Sequence, residues 1–119
     1  MAQPATALGR SAYDATGVAD LARFFPDATP LRMTVQLGRV LQSGDTPAFT
    51  ESAVIEFGTP REVLFASKTP LEFEDILRLR NSDGSFDEEA KVVAVQYHPG
   101  KTLVAARFRR EVPNWIVKS

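Results

Sequence analysis

Short apolar runs separated by turn residues fill the chain from Val54 to Phe108, and they constrain the fold more than any other feature. The runs are rich in β-branched and aromatic residues, and Gly, Pro, Asn and Asp stand between them. This pattern is typical of β-strands joined by tight turns. Together with the segments that begin at Leu31 and Phe49, it predicts an all-β chain of about six short strands, a barrel or a sandwich.

The alternation of apolar and polar residues sets the predicted strand boundaries. In the first strand Leu31, Met33, Val35 and Leu37 alternate with polar residues or glycine, as in a strand with one buried face. The last two strands flank His98-Pro99-Gly100-Lys101, a four-residue turn that predicts a hairpin. The predicted strands are 31–39, 49–57, 63–67, 76–80, 91–97 and 102–108. In the hairpin, Val92, Val95, Val104 and Phe108 are predicted to help close the barrel.

A helical pattern precedes the strands. Residues 1–10 are small, polar or proline-containing, and we expect them to be disordered. Ser-x-x-Asp at Ser11 favours a helix start. Val18, Leu21, Ala22 and Phe25 then share one helical face, and Pro26 ends the helix. The expected domains are therefore a disordered 1–10, a helix within 11–26 and a barrel over 31–119.

The helix carries more apolar bulk than one narrow stripe needs, in Leu21, Phe24 and Phe25. These residues either cap an open end of the barrel or form a partner surface. Adjacent phenylalanines point about 100° apart on a helix, so they cannot easily both face one core. We expect capping with partial exposure, and we predict Leu21, Phe24 and Phe25 as the partner surface.

Composition argues against several partners and locations. The formal net charge is -1, which gives no general attraction for a nucleic acid polymer. The one dense basic cluster is Arg107, Arg109 and Arg110. No apolar run approaches the ~18 residues of a membrane span, so we expect no membrane insertion. The absence of cysteine and of a signal-peptide pattern fits a cytoplasmic protein.

Residues that carry chemistry are scarce, and we predict no enzyme, no catalytic residue, no metal and no cofactor. The single histidine, His98, falls in a predicted solvated turn. The acidic group Asp83, Asp87, Glu88 and Glu89 lacks the glycine spacing of a calcium loop, and a solvated loop is predicted instead. Trp115 is predicted to close the core, although a tryptophan can also stack on a nucleobase.

The segment Val54-Ile55-Glu56-Phe57-Gly58-Thr59-Pro60-Arg61-Glu62-Val63-Leu64-Phe65-Ala66-Ser67, with the strands that follow it, resembles the PilZ family of bacterial cyclic-di-GMP receptors. The resemblance covers about residues 31–110. It implies a small six-stranded PilZ-like β-barrel that acts in bacterial signalling.

The two motifs that hold the nucleotide in that family do not match. An Arg-x-x-x-Arg motif before or on the first strand is missing, because no two arginines are four apart. In the second motif, Asp/Asn-x-Ser-x-x-Gly, this chain has Phe57, Thr59 and Glu62. Thr59 can replace a serine hydroxyl, but Phe57 cannot replace an acid.

The resemblance therefore implies a non-catalytic regulatory or protein-interaction module that does not bind cyclic-di-GMP in the usual way, with a protein as the expected partner. The alternative is a receptor for cyclic-di-GMP or another anionic nucleotide that uses a non-standard arginine set. For that alternative the candidate ligand-binding residues are Arg32, Arg39, Arg61 and Thr59, because a guanidinium both stacks on bases and forks onto phosphate.

Overall fold

The computed structural model describes residues 17–40 and 49–116, except for the side chain of Thr50. One short helix, α1 (Val18–Ala22), comes before six strands. The strands are β1 (Thr29–Val40), β2 (Phe49–Gly58), β3 (Glu62–Ser67), β4 (Ile76–Asn81), β5 (Asp87–His98) and β6 (Lys101–Phe108). The predicted all-β class, with six strands and one helix, is confirmed.

The six strands form a closed antiparallel barrel in the order β1-β2-β3-β6-β5-β4. Neighbouring strands in the barrel are consecutive in the chain at four of the six pairings. In the other two, β3 pairs with β6, and β1 pairs with β4, which closes the cylinder. Every strand keeps the predicted position, with ends that differ by at most four residues. The hairpin β5–β6 is tighter than predicted, because His98 pairs with Lys101 and only Pro99 and Gly100 form the loop. Gly100 has φ +81°, which glycine adopts without steric cost.

Alternation along the strands separates the core from the outer wall. In β4, Leu77 and Leu79 are fully buried while Arg78 is half-buried, as expected for a strand with period two. The register of β5 against β6 shifts between Val92 and Ala94. Such a bulge places an extra residue on one strand. Val93 and Ala94 therefore both lie with the outer apolar cluster, whereas Val92 and Val95 belong to the barrel core.

Among the described residues, three buried residues outside the strands complete the core: Leu71, Phe86 and Trp115. Leu71, in the loop between β3 and β4, is buried with the interior residues. Trp115, from the segment after β6, packs against Phe86 and Phe108 with ring centroids 5.0 and 5.5 Å away. A Cβ at Gly58 would overlap the Trp115 ring, so glycine is needed at that position. The predicted role of Trp115 in closing the core is confirmed.

The helix lies on the outer wall of the barrel, and the prediction that it caps an end is wrong. Val18 and Leu21 pack in a cluster with Leu64, Leu103 and Ala105, which are outward residues of β3 and β6. These positions are apolar and need cover from water. The helix ends at Ala22 and turns of the i to i+3 type follow, so the predicted end near residue 25 is too late. Residues 1–10 and 11–16 lie outside the described part.

Asp87, Glu88 and Glu89 form the beginning of β5, so the prediction that they lie in a solvated loop is wrong. Each of these acids pairs with an arginine of a neighbouring segment. The pairing neutralises charges that a strand would otherwise expose, and Asp83 alone of the four acids remains in the turn.

Among the described residues, no helix is long and apolar enough to cross a membrane.

Candidate functional site

The three candidate arginines do not lie together. Arg32 is on the part of β1 nearest Thr29, whereas Arg39 is near the other end of the same strand. Seven residues of extended strand separate them by roughly 23 Å. Arg61 lies in the turn between β2 and β3, and Thr29 pairs with Gly58 beside that turn. Arg32 and Arg61 therefore share one end of the barrel, and Arg39 lies at the opposite end.

Arg39 has a structural partner. Its Nη2 atom donates to Oδ2 of Asp75 at 3.0 Å, and the same carboxylate oxygen accepts from the backbone N–H of Glu72. Arg39 thereby fixes the loop between β3 and β4. Arg32 and Arg61 are exposed, and the described residues give neither side chain an ion-pair partner. Two of the three guanidinium groups are thus available to an anion.

Thr59 is occupied within its own turn. Its hydroxyl donates to Oε1 of Glu62 at 2.6 Å and accepts from the N–H groups of Arg61 and Glu62. Its carbonyl accepts from Nε1 of Trp115 at 2.7 Å. With the residue only 5% exposed, the hydroxyl shapes the β2–β3 turn. Its predicted contact with a ligand would require those hydrogen bonds to be replaced.

The predicted partner surface divides into a buried and an exposed part. Leu21 is buried under the helix, and Phe25 is partly buried against the same outer cluster. Phe24 is 71% exposed. The outer wall therefore anchors the helix through Leu21 and Phe25, and it leaves the ring of Phe24 facing solvent.

A groove that sequence reasoning missed lies on the outside of β5 and β6. It has a volume of about 570 Å³, within the usual range for ligand-sized clefts. Phe73, 62% exposed, stands at one side of it. The other lining residues are Glu74, Ile76, Lys91, Val92, Val93, Arg107, Phe108 and Arg109. The sequence predicted Arg107 and Arg109 as part of a basic cluster and Val92 and Phe108 as hairpin residues, but it did not indicate a groove.

Glu51 holds the β3–β4 loop at the other end of the barrel from Trp115. Its carboxylate accepts hydrogen bonds from the hydroxyls of Ser67 and Thr69 and from the N–H groups of Lys68 and Thr69. Burial acts to raise the pKa of Glu51, but the hydrogen bonds from Thr69, Lys68 and Ser67 outweigh it, and the pKa lies below its usual value. The network anchors the loop to β2.

Asp87, at the start of β5, is another carboxyl group whose pKa lies below its usual value. Arg78 binds Asp87 through two hydrogen bonds, at 2.8 and 2.7 Å. This bidentate contact lowers the pKa of Asp87.

Within residues 17–40 and 49–116, no group of His, Asp and Glu could hold a metal ion. His98 is half-buried, and its Nε2 atom is buried with no hydrogen-bond partner, so the prediction of a solvated histidine is wrong.

Comparison with known proteins returns no match, because no family model, no curated protein and no solved structure is similar enough to this chain. Neither the resemblance to PilZ domains nor any activity is supported by a relative. The geometry described above is therefore the basis for a functional proposal.

Proposed function

We propose that this chain is a non-catalytic regulatory or protein-interaction module of a PilZ-like type, which works through a protein partner in a bacterial cytoplasm. The observation that carries the proposal is the position of Phe24. It is the most exposed of the large hydrophobic side chains in the described part, at 71%. Aromatic residues are enriched at the centre of partner surfaces.

The anchoring of the helix supports this role for Phe24. Val18 and Leu21, each 2% exposed, fix α1 to the outer wall. Phe24 follows within one turn of this fixed segment, and its N–H donates to the carbonyl of Leu21 at 3.1 Å. A ring presented from an anchored segment loses less conformational entropy on binding than a ring on a loose segment.

A receptor for cyclic-di-GMP or another anionic nucleotide is the second candidate. It is favoured by one observation, the pair Arg32 and Arg61 at one end of the barrel, both without ion-pair partners among the described residues. Arg39 and Thr59 weaken this candidate, since Nη2 of Arg39 and the hydroxyl of Thr59 already have partners in the fold. The interaction module therefore agrees better with the geometry.

The test replaces Phe24 with serine and follows both folding and association. Because the ring is exposed, Phe24→Ser should leave the melting temperature close to that of the parent. It should abolish capture of the partner from a native bacterial lysate, and the captured protein should then be purified and titrated by calorimetry. Arg23→Ser is the matched control, because Arg23 is the exposed neighbour and forms only a surface ion pair with Asp20.

The expected pattern is lost association for Phe24→Ser and retained association for Arg23→Ser, both on an intact fold. Leu21→Ser, at a buried position, should instead unfold the helix from the barrel. If Phe24→Ser binds the purified partner as tightly as the parent does, the proposed surface is wrong. If that variant loses its fold, Phe24 is a core residue and the proposal has no basis.

A further inference from the structure

The groove beside Phe73 has a cationic rim that the proposed function does not use. Lys91 of β5 and Arg107 of β6 are directly opposite each other on the outer wall. Like charges in directly opposed positions destabilise a sheet. Lys91 is exposed, and no described residue forms an ion pair with it. Arg107 also pairs with Glu62, so Lys91 is the member of this pair without an ion-pair partner among the described residues, and an exposed unpaired cation suits a site that receives an anion.

The nearby ion pairs all expose the arginine more than the acid. Arg107 is 58% exposed and its partner Glu62 only 13%. Arg109 is 68% exposed against 37% for Glu89, and Arg110 is 76% exposed against 15% for Glu88. The guanidinium groups therefore form the outer layer although the pairs are formally neutral. Exposed ion pairs of this kind contribute little to stability, so an incoming carboxylate can share or replace the native partner.

The apolar side of the groove is held in position by the backbone. Glu74, which follows Phe73, has φ 75°, a left-handed conformation that is uncommon for a residue other than glycine. Its N–H donates to the carbonyl of Val92 at 2.9 Å, and the N–H of Val92 donates to the carbonyl of Asp75. Strain of this kind persists only where surrounding contacts enforce it, and it occurs often at binding sites. Phe73 is thus presented beside the cations of β5 and β6.

We propose that this groove binds an acidic segment of a protein partner, with one aromatic or aliphatic side chain of that segment packed on Phe73, Ile76 and Val93. Carboxylates of the segment would contact Lys91, Arg107 and Arg109. This inference rests on the proposed interaction function and gives its partner a chemistry. A nucleic acid fits less well, because binding of a polyanion depends on many phosphate contacts, and the whole chain has a net charge of -1.

The experiment selects phage-displayed random peptides on the full chain and measures the enriched peptides by calorimetry and amide chemical shifts. The enriched sequences should combine Asp or Glu with an aromatic or aliphatic residue. Their binding should weaken as salt is raised. Lys91→Glu should weaken binding by about tenfold or more. Because this change removes the repulsion with Arg107, it should leave the melting temperature unchanged or slightly raised.

Arg80→Glu is the matched control, with a change to the same acid at an exposed position that does not line the groove. It should retain peptide binding. Enriched peptides without acidic residues, or equal binding by the parent and Lys91→Glu, would overturn the inference. The same holds if a single-stranded oligonucleotide, or vesicles that contain phosphatidylglycerol, binds at Lys91 more tightly than any selected peptide does.

The outcome separates this inference from the function on which it rests. Peptide-induced shift changes at Phe24 but not at Lys91 would overturn the groove and leave the interaction module standing. Shift changes at Lys91, together with a Phe24→Ser variant that still binds its partner, would support the groove and overturn the role of Phe24.

Discussion

At the scale of single residues, several polar side chains that resemble ligand-binding groups in the sequence serve as supports for turns and loops. Thr59 closes the β2–β3 turn, and Arg39 fixes the β3–β4 loop through Asp75. Glu51 belongs to the same class, because one carboxylate accepts four hydrogen bonds from residues 67–69. Nothing in the local sequence around Glu51 indicates this role, since its partners are 16 to 18 residues away.

Replacing Glu51 with glutamine should destabilise the fold at neutral pH by about 1–3 kcal/mol, because charge-assisted hydrogen bonds to the loop are weakened. The pKa of Glu51 is lower in the folded chain than its usual value. The carboxylate therefore stabilises the fold fully above the unfolded pKa, and this contribution is lost as pH falls through the folded pKa. Urea unfolding of the parent and the variant should differ at neutral pH and converge in acid.

Glu72→Gln is the control for this measurement, because Glu72 is an exposed residue of the same loop. Its unfolding free energy should match that of the parent across the pH range. A constant difference between the parent and Glu51→Gln from neutral pH to acid would contradict the proposed contribution of the carboxylate.

At the scale of elements, the strands are more predictable than the helix. A strand needs only alternation and a turn at each end, and β4 illustrates this with Leu77 and Leu79 inside. The helical face of Val18, Leu21, Ala22 and Phe25 was recognised, but the described helix is only five residues long. The predicted end is too late because Phe25 packs on the outer wall together with the helix although it lies outside the helix. The apolar pattern that ends before Pro26 therefore does not mark the end of the helix.

The hairpin β5–β6 should depend strongly on Phe108. This residue is 5% exposed and contacts Phe86 and Trp115 edge to face, with centroid distances of 5.9 and 5.5 Å. Phe108→Ala should cost about 3–5 kcal/mol, much of the ~5–15 kcal/mol that stabilises a small domain. Thermal or urea unfolding measures the loss, and Phe73→Ala, at an exposed position, should lose far less. Equal melting of Phe108→Ala and the parent would contradict the packing described here.

At the scale of the whole molecule, the barrel separates residues that the sequence suggested as one site. Arg32 and Arg61 lie at one end and Arg39 at the other, so three arginines cannot surround one small ligand without a change of fold. Conversely, the closed order of strands brings β5 beside β6 and the β3–β4 loop beside β5. That arrangement places Phe73, Lys91 and Arg107 around one groove.

The chain should therefore not bind cyclic-di-GMP with micromolar affinity. A site of that strength needs about -8 kcal/mol. The loss of two bidentate or stacked arginines, at roughly 1.5–3 kcal/mol each, would weaken it by about two to four decades. Calorimetry should detect no stoichiometric complex at micromolar concentration. A complex near micromolar affinity, with shift changes at Arg32 and Arg61, would favour the receptor function instead.

The sequence by itself determined the class of the fold, the positions of the six strands, the presence of the β5–β6 hairpin and the burial of Trp115. These features depend on alternation and on turn residues, which act between near neighbours in the chain. Tertiary structure alone decided where the helix packs, which acids of β5 meet which arginines, and which cations surround Phe73. Those contacts join residues that are distant in sequence. They follow from the order in which the strands close the barrel, and local sequence patterns do not depend on that order.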